Sequence, residues 1–209
     1  MFSPLLVLAQ LFSTAQAAAI VVAVEDGGSS GTSAELAAQL NDDTYFDFTA
    51  TVVTAADIDT ATELAAYDVV ILGDSGYNET DWTTTMAAAL DTWNNAGLGG
   101  VVSVGWVDWV TGPGATVLTS IDNVQPIDSY SFGYSYCSGT TSYSTLSTHD
   151  ITTGVATTLY AGASNIEGSP SASDSTNGTV VGVGSCGDNT VVVGEYGSGR
   201  HVYLGYLYM

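Results

Sequence analysis

Cations are what this sequence lacks. It has one basic side chain, Arg200, against 22 Asp and Glu, and a formal net charge of −21 over 209 residues. A protein that binds nucleic acid neutralises several phosphates with Lys and Arg, so nucleic acid is excluded as a partner. Cysteine and histidine are nearly as scarce, with two of each: Cys137 and Cys186, His149 and His201. Two thiols do not make a metal site without further ligands, and the two histidines do not have zinc-site spacing. Charged residues make up only 11% of the chain while 45% are hydrophobic, which excludes wholesale disorder and leaves the surface to Thr, Ser, Gly, Asn and Tyr.

The apolar run Leu5-Leu6-Val7-Leu8-Ala9-Gln10-Leu11-Phe12 is too short to span a bilayer comfortably, so no transmembrane span is expected. It is followed by Ser13-Thr14-Ala15-Gln16-Ala17, where Ala15 and Ala17 fit the small-x-small pattern of a signal-peptidase site, although the positive segment that usually precedes the apolar run is missing. Residues 1–17 are therefore read either as a cleaved signal peptide or as a retained apolar N-terminal segment. Both cysteines sit in Gly/Ser/Thr-rich surroundings, and in an oxidising compartment they predict one disulfide, Cys137 to Cys186. Such a bridge closes a loop of about 50 residues and stabilises by about 3–4 kcal/mol in the chain-entropy account. Asn78-Glu79-Thr80 and Asn177-Gly178-Thr179 are glycosylation sequons. Together these features predict an extracellular or cell-surface location. Self-repulsion among the acids would be relieved there by salt, by divalent cations or by a positive partner.

About 190 residues remain after the leader, enough for one domain, 18–209, with a full core. Its first half alternates strands and helices. Ala18 to Val24 is a continuous apolar run, the pattern of a buried parallel strand, and Thr32 or Ser33 caps a helix through Leu40. Phe46 to Val53 reads as a second strand, Asp57 to Ala66 as a short helix, and Tyr67 to Gly73 as a third strand. Asn78 or Thr80 caps a long helix carrying Trp82, Met86, Ala89, Leu90 and Trp93, and Gly99 to Gly105 is a fourth strand. This is an α/β class chain: a doubly wound, mostly parallel sheet. From Thr111 to Thr148 the pattern is one of loops with short strands. Three later segments, beginning at Thr179, Thr190 and Arg200, are joined by Gly187-Asp188-Asn189 and Gly197-Ser198-Gly199 and predict a C-terminal antiparallel β meander. The stop at Tyr206-Leu207-Tyr208-Met209 is abrupt, as in a fragment of a longer chain.

Three segments together carry a family resemblance: Leu64 to Gly73 (LAAYDVVILG), His149 to Val155 (HDITTGV) and Gly197 to Gly205 (GSGRHVYLG). In this order and spacing the chain resembles class I glutamine-amidotransferase-like domains, including the trehalose-utilisation type, over most of residues 18 to 206. The resemblance implies a flavodoxin-like fold. It also implies a catalytic Cys at the tight turn after the Val101 to Val104 strand. Here the sequence reads Val104-Gly105-Trp106-Val107-Asp108-Trp109, with Trp106 at the elbow. The amidotransferase triad, and with it that reaction, is expected to be absent, so the domain reads as catalytically degenerate.

Open α/β sheets hold ligands at the carboxyl ends of their strands, and here those ends carry Glu25, Asp26, Asp74 and Asp108. Four acids without a cation invite Ca²⁺, and the same residue types also serve as turn and helix-cap residues. His149 can order its turn by hydrogen bonding or act as a base, and His201 lies beside the only Arg. Trp106 and Trp109 flank Asp108, and Tyr134 and Tyr136 share one face of the middle segment if it is extended. Such rings cover a sheet end, make protein interfaces or stack on glycans. The reading that follows is a secreted, non-catalytic structural or assembly subunit of a filament, surface layer or adhesin, self-associating or bound to other surface proteins. The alternatives are a glycan- or Ca-binding module of a larger surface protein, and a hydrolase using acidic residues with His149.

Overall fold

The computed structural model describes residues 19–26, 32–44, 47–72, 82–104, 107, 119–128, 134–153, 158–168, 171–172 and 176–205. Residues 1–17 and the abrupt C-terminal stop lie outside this set.

Nine strands form one sheet. Four belong to the first half: β1 (Ile20–Glu25), β2 (Phe48–Val53), β3 (Val69–Leu72) and β4 (Gly100–Val104). They pair in parallel in the order β2-β1-β3-β4. Their connections carry α1 (Thr32–Leu40), α2 (Ala61–Leu64) and α3 (Thr84–Asn95). Because both faces are covered, the side chains of β1 divide between two cores. Ala23 joins Val70, Leu72, Val101, Met86, Leu90 and Trp93 beneath α3, while Val22 and Val24 join Ile71, Val104 and Ala37 beneath α1. This explains why the strand has no polar alternation.

After the short α4 (Thr119–Asp122) and β5 (Ile127–Asp128), the chain runs through β6 (Tyr134–Leu146), β7 (Thr158–Gly168), β8 (Ser171–Ala172), β9 (Thr179–Gly184), β10 (Asn189–Tyr196) and β11 (Gly199–Leu204). The strand β11 lies parallel against β4, with Arg200 opposite Gly100 and Leu204 opposite Val104. From there the sheet continues antiparallel through β10, β9, β6 and β7. The predicted α/β class, its parallel sheet and its antiparallel meander are thus found, in a flavodoxin-like arrangement.

Three local expectations need correction. The single helix predicted over 57–66 is a 3₁₀ turn (Ala55–Asp57) followed by α2. Thr54 with Asp57 and Thr60 with Glu63 form successive capping boxes, and the second cap restarts the chain before α2. The long helix begins at Thr84 under Thr83, whose Oγ1 accepts the Met86 N–H at 3.1 Å, rather than under Asn78 or Thr80. The segment read as loops with short strands contains β6, thirteen residues long and paired with β7 and β9.

The two halves of the sheet are joined by Asn94, fully buried at the end of α3. Its Nδ2 donates to the carbonyls of Gly99 and Arg200, each at 3.0 Å. A side chain on Gly99 would enter the Trp93 ring, and one on Gly199 would enter Asn94, so both glycines are required by close approach.

Candidate functional site: a cleft at the amino ends of β9 and β11

Of the four acids predicted to line the carboxyl-end crevice, two, Glu25 and Asp26, are among the described residues. Glu25, the last residue of β1, is buried, and its backbone carbonyl accepts the Ser33 hydroxyl at 3.2 Å. Asp26 is exposed and donates its backbone N–H to Val53 O at 2.7 Å. Asp74, Asn78, Trp106, Asp108 and Trp109 lie outside the described residues, as does the expected elbow. No group of three or more His, Cys, Asp or Glu able to hold a metal occurs among the described residues. Tyr134 and Tyr136 are on β6, opposite Gly168 and Ile166, and their side chains are not described. The same is true of the Cys137 side chain, while Cys186 lies between β9 and β10. No described cysteine is free.

A cleft of about 490 Å³ opens at the opposite end of the sheet. The register explains its position. The strand β11 starts beside the start of β4, β9 runs parallel to β11, and the turn after β10 brings Glu195 opposite Arg200 and Gly194 opposite His201. After β6, which is antiparallel to β9, the chain returns to the same end and delivers His149, Asp150 and Ile151.

His149 caps a one-turn 3₁₀ helix (Asp150–Thr152). Its Nδ1 accepts the Ile151 N–H at 3.3 Å, and its backbone N–H donates to Thr152 Oγ1 at 3.0 Å. With Nδ1 used as an acceptor, the proton of the neutral ring sits on Nε2. The turn-ordering role is therefore the one observed. Arg200 and Glu195 are largely exposed, and their closest approach, Nε to Oε1, is 3.9 Å, too long for a hydrogen bond. Such a pair adds little to stability.

His201 is 1% exposed, and neither ring nitrogen makes a well-formed hydrogen bond. It packs on Gly194, where a side chain would collide with the ring and with Thr176 O. Burial pushes its pKa down to about 4, against the opposing pull of the Thr176 backbone and the Glu195 carboxylate, so the ring is neutral near pH 7. Asn177 has a positive φ of 50°, and its Nδ2 donates to Glu195 O at 3.1 Å. The amide that a glycan would modify is thus holding the cleft wall.

Sequence reasoning placed Arg200 and His201 side by side but did not bring His149 to them, and it did not single out Glu195. The hairpin count across Gly197-Ser198-Gly199 was enough to oppose Glu195 to Arg200. The approach of His149 depends on the pairing of β6 with β9, which has no local signal.

No family model matches the chain, and no curated protein matches its sequence. Solved structures do resemble it. The cytoplasmic protein STM1381 of Salmonella typhimurium LT2 aligns with a TM-score of 0.59 at 16% identity, covering 88% of this chain and 86% of its own. A ThuA-like protein from Bacteroides uniformis aligns with a TM-score of 0.60 at 12% identity, covering 90% and 82%. The fold is ThuA-like. Agd3, a carbohydrate deacetylase, aligns with a TM-score of 0.57 at 12% identity over 91% of this chain but only 29% of its own.

These likenesses correct the functional expectation. Two of these neighbours are a cytoplasmic protein and a ThuA-like protein, so the reading as a secreted filament, surface-layer or adhesin subunit, with its extracellular address and glycoprotein character, is withdrawn. The surface-protein setting of the glycan- or Ca-binding module is withdrawn with it, and in the hydrolase reading Nδ1 of His149 is not available as a base because it accepts the Ile151 N–H. No helix among the described residues is long and apolar enough to cross a membrane.

Proposed function

We propose that this chain is a saccharide-binding domain of ThuA-like fold that has no amidotransferase chemistry. The observation that carries the reading is the composition of the cleft. Ile151, Val193 and Val202 provide apolar surface beside the donors and acceptors of His149, Asp150, Asn177 and Arg200. A sugar ring presents the same combination, with C–H faces and a rim of hydroxyls, and sites of this kind fix orientation with a few polar groups set in apolar walls. Two likenesses support it: the trehalose-utilisation type among the domains that the sequence resembles, and the use of this fold as less than a third of a carbohydrate deacetylase. The loss of amidotransferase chemistry rests on the sequence, which reads Trp106 at the position where the resemblance implies a nucleophilic Cys.

A glycan array probed with the whole chain tests the reading. The expected result is saturable binding to at least one saccharide, competed by the free sugar and lost in Thr179→Trp, which puts bulk on the exposed rim of the cleft. Binding that survives this substitution, or no binding across neutral and acidic glycans, would overturn it.

A further inference from the structure

In this chain of 22 acids, three side chains are able to carry positive charge, and all three, His149, Arg200 and His201, line the one cleft. Among the described residues, two acids, Asp150 and Glu195, stand with them there. With His201 neutral near pH 7, Arg200 is the one permanent cation there and faces two carboxylates, so the cleft is far less acidic than the molecule as a whole. None of the structural roles found for these residues requires the gathering. His149 could cap its turn anywhere, the Arg200 side chain is exposed and beyond hydrogen-bond reach of Glu195, and the buried His201 packs on Gly194 without a well-formed ring hydrogen bond that would need the other two beside it.

We propose that the cleft recognises the carboxylate of an acidic saccharide such as a uronate, with the Arg200 guanidinium as its anchor and Nε2–H of His149 as a second donor. This rests on the saccharide-binding reading and deepens it. The guanidinium is planar, always charged, and presents paired N–H donors that match a carboxylate. At 3.9 Å Glu195 does not use those donors, and it holds the guanidinium loosely at the cleft mouth. A monoanion fits the charge available. A phosphate dianion would leave charge uncompensated beside Asp150 and Glu195, since Arg200 is the only permanent cation. The remaining acids oppose an anion only weakly, because at physiological salt their field is screened beyond about 8 Å while the contact with Arg200 is much closer.

Calorimetric titration of the whole chain with methyl glucuronide and galacturonide, their neutral glucoside and galactoside counterparts, and acetate provides the test. The expected result is that a uronide binds about fivefold to tenfold tighter than its neutral counterpart, the increment of a charge-assisted hydrogen bond at an exposed site. Arg200→Gln should erase that difference, while Glu195→Gln should strengthen uronide binding severalfold. Equal affinities for uronides and neutral sugars would overturn the carboxylate inference and leave saccharide binding standing. Acetate binding that depends on Arg200, with no added affinity from the sugar, would retain the anion site and sink the saccharide reading. Silence of all the probes would sink both.

Discussion

The strands β1, β3 and β4 are apolar along nearly their whole length and bury residues on both faces, whereas β6 and β7, at the far end of the same sheet, consist mainly of Ser, Thr, Tyr, Gly and Ala. The first group is held by burial in two helix-covered cores. The second is held by long backbone ladders in which few side chains are strongly hydrophobic. Between them, β10 and β11 bury Val191, Val192 and Tyr203 but also Thr190 and His201. A strand in a parallel sheet must therefore announce itself by composition, while an antiparallel strand can be assembled from hydroxyl-rich residues provided that its neighbours supply the hydrogen bonds. The cleft lies where the second kind of strand meets the first, and the polar residue buried beside it makes this half the one that acid should attack.

The largest predicted effect follows from that residue. The folded-state pKa of His201 lies near 4, below its ordinary 6.5, so the unfolded chain binds more protons between those values. Stability from the neutral ring is complete above about pH 6.5 and is lost progressively as pH falls towards 4, an amount on the order of 3 kcal/mol. Denaturant midpoints measured from pH 7 to pH 4 should fall more steeply for the native chain than for His201→Gln, with the difference confined to that window. Carboxylates titrating in the same range cancel between the two proteins. Parallel curves would show that His201 finds a proton acceptor on acidification and is not an acid-labile element.

This contrast also decides what was legible in the sequence. The strands β1, β3 and β4 were visible because burial on two faces demands unbroken apolar runs, and β9 to β11 were visible because Gly187-Asp188 and Gly197-Ser198-Gly199 mark their turns. Gly187 and Gly197 indeed have positive φ, 93° and 60°. The strand β6 was hidden because Tyr134 to Leu146 lacks apolar alternation, although its Tyr and Thr content is that of a β-former. The position of β11 was hidden for another reason: nothing in Gly199 to Leu204 states that it will lie parallel against β4 after almost a hundred intervening residues. The cleft inherits that limit, since its residues come from three separated segments brought together by non-local register.

The seam between the halves can be broken directly. Asn94 satisfies two carbonyls, one preceding β4 and one at Arg200 on β11, from inside the core. Asn94→Ala removes both donors from part-buried carbonyls, which should cost about 1–3 kcal/mol. Because one of those carbonyls belongs to Arg200, the variant should also weaken ligand binding at the cleft when assayed well below its unfolding transition. Loss of stability with unchanged cleft binding would show that Asn94 joins the halves without positioning the site.

The smallest predicted effect concerns the free edge of the apolar half. Among the described residues the strand β2 has β1 on one side only, and on its other side the Asn41 side chain does what a neighbouring strand would do: Oδ1 accepts the Ala50 N–H at 2.7 Å and Nδ2 donates to Ala50 O at 2.9 Å. A single amide thus closes the ladder position at the middle of the edge, where an unpaired donor and acceptor would otherwise invite another chain. Asn41→Ala should lose about 1 kcal/mol, since water can partly replace both bonds. It should also increase concentration-dependent association by sedimentation velocity over that of the native chain under the same conditions. Asn41→Asp keeps the acceptor and turns a second oxygen towards Ala50 O, so it should be at least as destabilising while its added charge suppresses association. If Asn41→Ala stays monomeric at high concentration, the net charge of −21 rather than the amide keeps this edge unpaired.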